Sequence, residues 1–518
     1  MTHPIRILIL LLAGSLSACG YWLKAAPPLL GSQQLLEIEI ATMHQALLQR
    51  RLSCEQLVTY YLERIKRYDQ ATGLNTMITV NQQALAQAQL LDQHLAQGAV
   101  PLSPLFCVPI AVKDNYNTQD LPTTGGSIAL KNFYPPTDAL QIKRLKAAGA
   151  IILAKTNMGE WAFSPNMTLS SVAGETRNAY DLSRVPAGSS GGTASAVAAN
   201  FALVGLGTDT GNSIRGPASH LALVGLRPTL GLTSQEGIIP LLSNRDVGGP
   251  MTRTVTDTAR ILNVIAADDL AGPITLESRG KAPNYLLHLD KNGLAHARIG
   301  VLGDIYDKPD THPEILQLFE QALQDLKRLG ATLINPLDIP DFEILTAAVG
   351  FCPRFHHDIN AYLKKYQAPI MSIEAIIEQK LYHSASLMAL QWGVSDKTSP
   401  EKRNPPCVDV MGDPRRKALL EAVVAVMDQH KLDVIVYPTW NHPPRQIGDF
   451  DSPTGDNSQI IAPHTGQPAI TVPMGYNRQG LPAGLQLLAR PYGEAVLIKF
   501  AYAYEQATHH RKVPPLFP

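Results

Sequence analysis

The sequence predicts an α/β fold, a central sheet covered by helices on both faces, and two observations carry that prediction. Short, almost uninterrupted apolar runs recur at 106–112, 151–154, 298–302, 434–437 and 469–472. Strands that are apolar on every residue belong to sheets buried on both sides. Segments of helical pattern lie between the runs, and alternation of the two kinds of segment is the mark of an α/β chain.

Taken in order, the chain begins with His3 and Arg6 ahead of an apolar core at 7–12, too short to cross a bilayer. Residues 1–18 therefore read as a signal peptide. Leu16-Ser17-Ala18-Cys19 resembles a bacterial lipobox. That resemblance implies lipidation of Cys19, export to the periplasm and membrane contact through the lipid alone. Gly20 after the cysteine resembles lipoproteins sorted to the outer membrane; the alternative is an ordinary secretory signal cut nearby. Residues 19–33 read as a tether. Ser53 and Gln56 form a capping-box pair ahead of Leu57, Tyr61 and Ile65 at helical spacing. Helices are expected again at 82–95, ended by Gly98, and at 313–329, closed by Gly330. Residues 343–415, with Phe351, Phe355, Met388 and Trp392 among charged residues, read as a helical insertion on the substrate side rather than a separate domain.

Composition narrows the function. Of 518 residues, 45% are apolar and 17% charged, and Lys plus Arg equals Asp plus Glu at 44 each. No net field draws such a chain to nucleic acid, and a polyanionic substrate is not expected. The five cysteines have no CxxC spacing, so neither a zinc site nor a redox pair is indicated. Cys54, Cys107, Cys352 and Cys407 allow three pairings or none, and the sequence does not choose among them. The oligomeric state is also open.

Chemistry concentrates in 184–217, where two serine-bearing glycine clusters flank a run of small residues: Gly188-Ser189-Ser190-Gly191-Gly192 and Gly207-Thr208-Asp209-Thr210-Gly211-Asn212-Ser213. Glycine gives up the most conformational freedom on folding, so such clusters point to main-chain N–H groups brought close to a ligand. A nucleophilic serine needs a proton acceptor and a stabiliser for developing charge. No histidine lies in either cluster. Lys113 ends an apolar strand, and burial there lowers its pKa toward that of a working base. Main-chain N–H groups of 210–213 are the candidate stabiliser.

With these motifs the chain resembles the amidase-signature hydrolases. The similarity runs through Val112-Lys113-Asp114-Asn115, Ala154 to Glu160, Gly174-Glu175-Thr176-Arg177-Asn178, Pro186 to Gly192 and Gly207 to Pro217. It continues in Val224 to Thr229, Asp246 to Met251, Gly466-Gln467-Pro468-Ala469 and Gly484-Leu485-Gln486, covering about 34–511. The resemblance implies one catalytic domain at 34–511, built on a twisted mixed sheet flanked by helices. It implies amide hydrolysis through a Ser-Ser-Lys triad, with Ser213 as nucleophile, Ser189 beside a cis peptide bond as relay and Lys113 as neutral base. Thr210, Gly211, Asn212 and Ser213 would form the oxyanion hole. No cofactor or metal is implied, and the partner is a small-molecule or peptide amide that enters between 160–164 and the 343–415 insertion. The chain departs from the family at Asn212, Ala187 and Cys107, where relatives commonly carry glycine; Cys107 reads as strand packing.

Other readings compete. Gly188 to Gly192 also fits G-x-S-x-G, which would make Ser190 the nucleophile with His464 as base, but that motif needs a strand before it and 181–186 reads as loop. Ser399-Pro400-Glu401-Lys402 fits S-x-x-K in a charged loop. The pairs His356-His357 and His509-His510 read as surface residues rather than metal ligands. The alternative functions are a non-catalytic lipoprotein of the same fold and one subunit of an amidotransferase.

Overall fold

The apolar runs become strands in the computed structural model, which describes residues 28–98, 100–266 and 278–518. The signal peptide, Cys19 and the first part of the expected tether lie outside the described residues. The strands are β1 (Met77–Val80), β2 (Pro109–Lys113), β3 (Ile151–Thr156), β4 (Thr168–Ser170), β5 (Gly174–Thr176), β6 (Val204–Asp209) and β7 (Val224–Arg227). They continue as β8 (Val247–Thr252), β9 (Arg298–Leu302), β10 (Thr332–Leu337), β11 (Val434–Pro438), β12 (Ala469–Tyr476) and β13 (Pro482–Leu488). Among the described residues eleven of them form one sheet in the order β1-β3-β2-β6-β8-β7-β12-β13-β11-β9-β10, while β4 and β5 pair separately. β2 runs parallel to β3 and β6, and β9 parallel to β10 and β11. The pairings between these two groups are antiparallel, so the sheet is mixed. Helices flank it, and the whole is a single domain.

Burial explains why the strands lack alternation. Every residue of β2, β3, β6, β7, β8, β11 and β13 is buried. The small-residue run has the same origin. Helix Gly191–Ala198 is buried on all sides and lies on β6, where a Cβ on Gly205 would meet Thr193 Cγ2 at 2.5 Å. Only small side chains permit that approach.

Local signals held with informative shifts. Ser53 caps helix Cys54–Thr72 by accepting from Gln56 N at 3.0 Å. The Gln56 side chain does not close the box; it donates to Leu30 O at 2.8 Å. Leu30 is buried, so the last residues of the expected tether are docked on the domain. At the other end, Phe517 is fully buried and Arg64 donates to Phe517 O and Pro518 O, so packing continues past residue 511. Beyond β10 the insertion forms helices Phe342–Ala348, Phe355–Lys365, Ile373–Glu378 and Leu387–Ser395. Phe355, Ile359, Ile373 and Leu390 make a small core of their own against Trp161 and Ile239.

Candidate active site

Lys113 is the last residue of β2 and is fully buried. Its Nζ lies 2.8 Å from Ser189 Oγ, 2.8 Å from Thr208 Oγ1 and 3.4 Å from Thr208 O. Asn115 donates to the same Thr208 hydroxyl at 3.0 Å. Among the described residues no carboxylate pairs with Lys113. Burial pushes its ammonium down to about 7, against the pull of Asp209 and Asp246. A neutral amine in this cage donates its two hydrogens to Thr208 and turns its lone pair to the Ser189 hydroxyl.

Ser189 follows a cis peptide bond from Gly188. Gly188 is required for contact reasons, since a Cβ there would sit 2.3 Å from Met167 O. Ala187 takes a left-handed φ of +62°, which a glycine would adopt at lower cost.

Ser213 stands on the turn between β6 and helix Arg215–His220, 4% exposed. Its Oγ donates to Asn212 Oδ1 at 3.4 Å. Among the described residues nothing accepts from the main-chain N–H of Thr210, Gly211, Asn212 or Ser213, which leaves these donors unengaged. Asn212 Nδ2 donates to Pro165 O at 3.1 Å, and Gly188 N donates to the same carbonyl at 2.8 Å. Pro165 therefore joins the Ser189 loop to the Ser213 turn, and the join uses a side chain that glycine lacks.

Buried charge holds the turn in place. Burial alone would raise the Asp209 carboxyl, but the Arg215 and Arg227 guanidiniums, at 3.1 and 2.9 Å, hold it at about 2. Arg215 also donates to Gly211 O at 2.7 Å. Thr210 Oγ1 donates to Asp246 at 2.5 Å, and the other Asp246 oxygen accepts from Leu241 N and Leu242 N. Burial raises Asp246 to about 6. Thr208, Asp209, Arg215, Arg227 and Asp246 all lie in the motifs read from the sequence. Their roles were missed because, apart from the local Asp209–Arg215 pair, the contacts join separate chain segments that spacing does not relate.

Ser213 opens into a cavity of about 260 Å³ that also touches Thr210, Gly211 and Asn212. Ala162 and Phe163 form one wall, and Phe351, Ala389 and Trp392 of the insertion form another, so the expected entry region and the cavity coincide. Phe355 is not in the wall: it is 1% exposed and packs edge-on against Phe163 from behind, with ring centroids 4.8 Å apart. Met388 does not line the cavity either and is 81% exposed.

The competing motifs separate from the site. Ser190 Oγ donates to Thr208 O at 3.1 Å, and no strand precedes it. Burial and Arg245 push His464 well below its usual value, with Nδ1 2.5 Å from Arg245 Nη1. Ser399 and Lys402 bracket a short 3-10 turn, and His356 bonds Glu374. Cys107 is not strand packing: it lies before β2 with φ of +66° and is disulfide-bonded to Cys54, with Cα atoms 5.6 Å apart. Cys352 and Cys407 form the second disulfide.

This fold and site belong to an amide-hydrolysing enzyme. The amidase family model matches residues 56–498, and the chain belongs to that family. A probable amidase of Arabidopsis thaliana is 32% identical, covering 93% of this chain and 92% of its own. A glutamyl-tRNA(Gln) amidotransferase subunit of Gloeothece citriformis is 33% identical over 92% and 99%. The native peptide amidase of Stenotrophomonas maltophilia has a similar structure, with a TM-score of 0.83 at 33% identity over 93% and 99%.

Proposed function

We propose that this chain hydrolyses a carboxamide to a carboxylate and ammonia or an amine through an acyl-serine at Ser213. Neutral Lys113 accepts the Ser189 proton as Ser189 accepts that of Ser213, and Ser213 Oγ attacks the amide carbon. The N–H groups of 210–213 receive the oxyanion. The relay returns a proton to the departing nitrogen, which leaves as the acyl-serine ester forms. Water then attacks the ester, giving its proton to the same relay. The observation that carries this reading is the 2.8 Å approach of a buried lysine, lowered to about 7, to a serine hydroxyl. Incubating the full chain with a panel of amides and quenching early tests it. An acyl mass increment on the Ser213 peptide is expected; turnover without acylation at Ser213 would sink the mechanism.

The same proposal places the protein in the periplasm, lipid-anchored at Cys19. Support comes from Leu16-Ser17-Ala18-Cys19 and from two disulfides, which persist in oxidising compartments. Feeding an alkyne fatty acid to expressing bacteria should label the wild type and not Cys19→Ala. No label on the wild type removes the anchor. The similarity to amidotransferase subunits favours a second reading, ammonia supply to a partner. An exported, disulfide-bonded chain has no access to charged transfer RNA, so the hydrolase reading is preferred.

A further inference from the structure

Phe351 and Gln459, which line the Ser213 cavity, also line a second cavity of about 750 Å³. The first is smaller than the range usual for drug-sized ligands, about 300–1,000 Å³, and the second falls within it. The second is built by the turn after β9, helix Phe342–Ala348 and the stretch 459–464. Ile344 in its wall is 69% exposed and Phe351 is 40% exposed, apolar surface that a ligand would cover.

His464 also lines this cavity and is 6% exposed. Arginine only donates, so the Arg245 contact makes Nδ1 an acceptor and puts the ring proton on Nε2. Among the described residues nothing accepts from Nε2. The ring lines the cavity, so this Nε2–H is a donor available to an acceptor on whatever enters. The exposed carboxylates Asp304, Asp341 and Glu343 outnumber Lys308 in the lining, and among the described residues none of them is ion-paired.

We infer that the second cavity is the subsite for the distal part of an extended, peptide-like acyl chain. A backbone carbonyl of that chain accepts from His464 Nε2–H, and its terminal ammonium faces Asp304, Asp341 and Glu343. The inference rests on Ser213 being the nucleophile of an amide hydrolase. The departing amine takes its proton on the Ser189 side, where Gly188 and Pro165 meet. The second cavity instead shares Phe351 and Gln459 with the Ser213 cavity and is lined by neither Gly188 nor Pro165, so it takes the acyl side.

Three amides test it with the full chain: acetyl-phenylalaninamide, a pentapeptide amide ending in phenylalaninamide with a free amino terminus, and that peptide N-acetylated. KM for the free-amine peptide should be at least about tenfold below that of acetyl-phenylalaninamide, and acetylation should remove most of the difference. In Asp304→Asn/Asp341→Asn the effect of acetylation should disappear while KM for acetyl-phenylalaninamide is unchanged. Equal KM values for all three overturn the subsite and leave amide hydrolysis standing. If none turns over, protection of Ser213 from a fluorophosphonate is read instead. Protection by the free-amine peptide but not by acetyl-phenylalaninamide upholds the subsite, and no protection by either overturns it.

Discussion

Replacing Lys113 by methionine keeps a long unbranched side chain in the same buried slot and removes a group that sheds its charge there. Burial lowers the ammonium from 10.5 to about 7. Between those pH values the unfolded chain carries a proton that the folded chain does not. Unfolding then takes up a proton, so the folded chain gains stability as pH rises through this window. Below about pH 7 both states are charged and the folded chain bears the whole charging cost. That cost is about 5 kcal/mol, taking 1.36 kcal/mol for each tenfold change in proton affinity. From pH 7 to pH 9 the wild type recovers about 2 kcal/mol of it, and Lys113→Met has nothing to recover. Urea denaturation of both chains at pH 6, 7, 8 and 9 measures this, read as the difference between them. Other buried groups in that range, such as Glu505 at about 8 and Asp257 at about 7, cancel in the difference. A stability difference that stays constant from pH 7 to pH 9 would mean that Lys113 is charged in the folded protein, and the base assignment would fall.

Ser189→Ala should lower kcat by about 10²–10⁴-fold in an amide assay, the range of a lost proton-transfer group; a smaller effect removes Ser189 from the relay. Asn212→Gly cuts the tie from Nδ2 to Pro165 O, worth about 1 kcal/mol, while keeping the main-chain N–H. Its kcat should stay within about tenfold of wild type, and complete loss would show that the side chain does more than hold the turn. Trp392→Ala should raise KM for bulky apolar acyl groups and spare small ones, because Trp392 lines the cavity at 46% exposure; unaltered selectivity would take it out of the acyl wall. Cys54→Ser/Cys107→Ser opens a link across 53 residues and should cost about 2–4 kcal/mol in denaturation. Equal midpoints with and without the bond would contradict that.

The sequence carried the parts of the site that depend on one chain segment. Lys113 could be placed because a fully buried strand is apolar on every residue, so the charged residue ending it stands out. The two glycine clusters could be placed because close approach excludes larger side chains, as at Gly188 and Gly205. Contacts between distant segments were not legible. Thr208 reads as one more small polar residue until β2 and β6 align side by side and bring its hydroxyl to Lys113. Phe351 and Phe355 are alike in sequence, yet Phe351, in the loop before helix Phe355–Lys365, lines the cavity, while Phe355, the first residue of that helix, packs behind it. Cysteine pairing was open for the same reason: Cys54 heads a helix and Cys107 precedes a strand, and only the packing of the two brings them together.

The central claim is that Lys113 activates Ser213, and labelling with a fluorophosphonate measures it without knowledge of the substrate. Peptide mass spectrometry of the full chain should find the label on Ser213, with a labelling rate that rises with pH through about 7 and is lost in folded Lys113→Ala. Label on Ser190, or undiminished label on Ser213 in Lys113→Ala, would contradict the account.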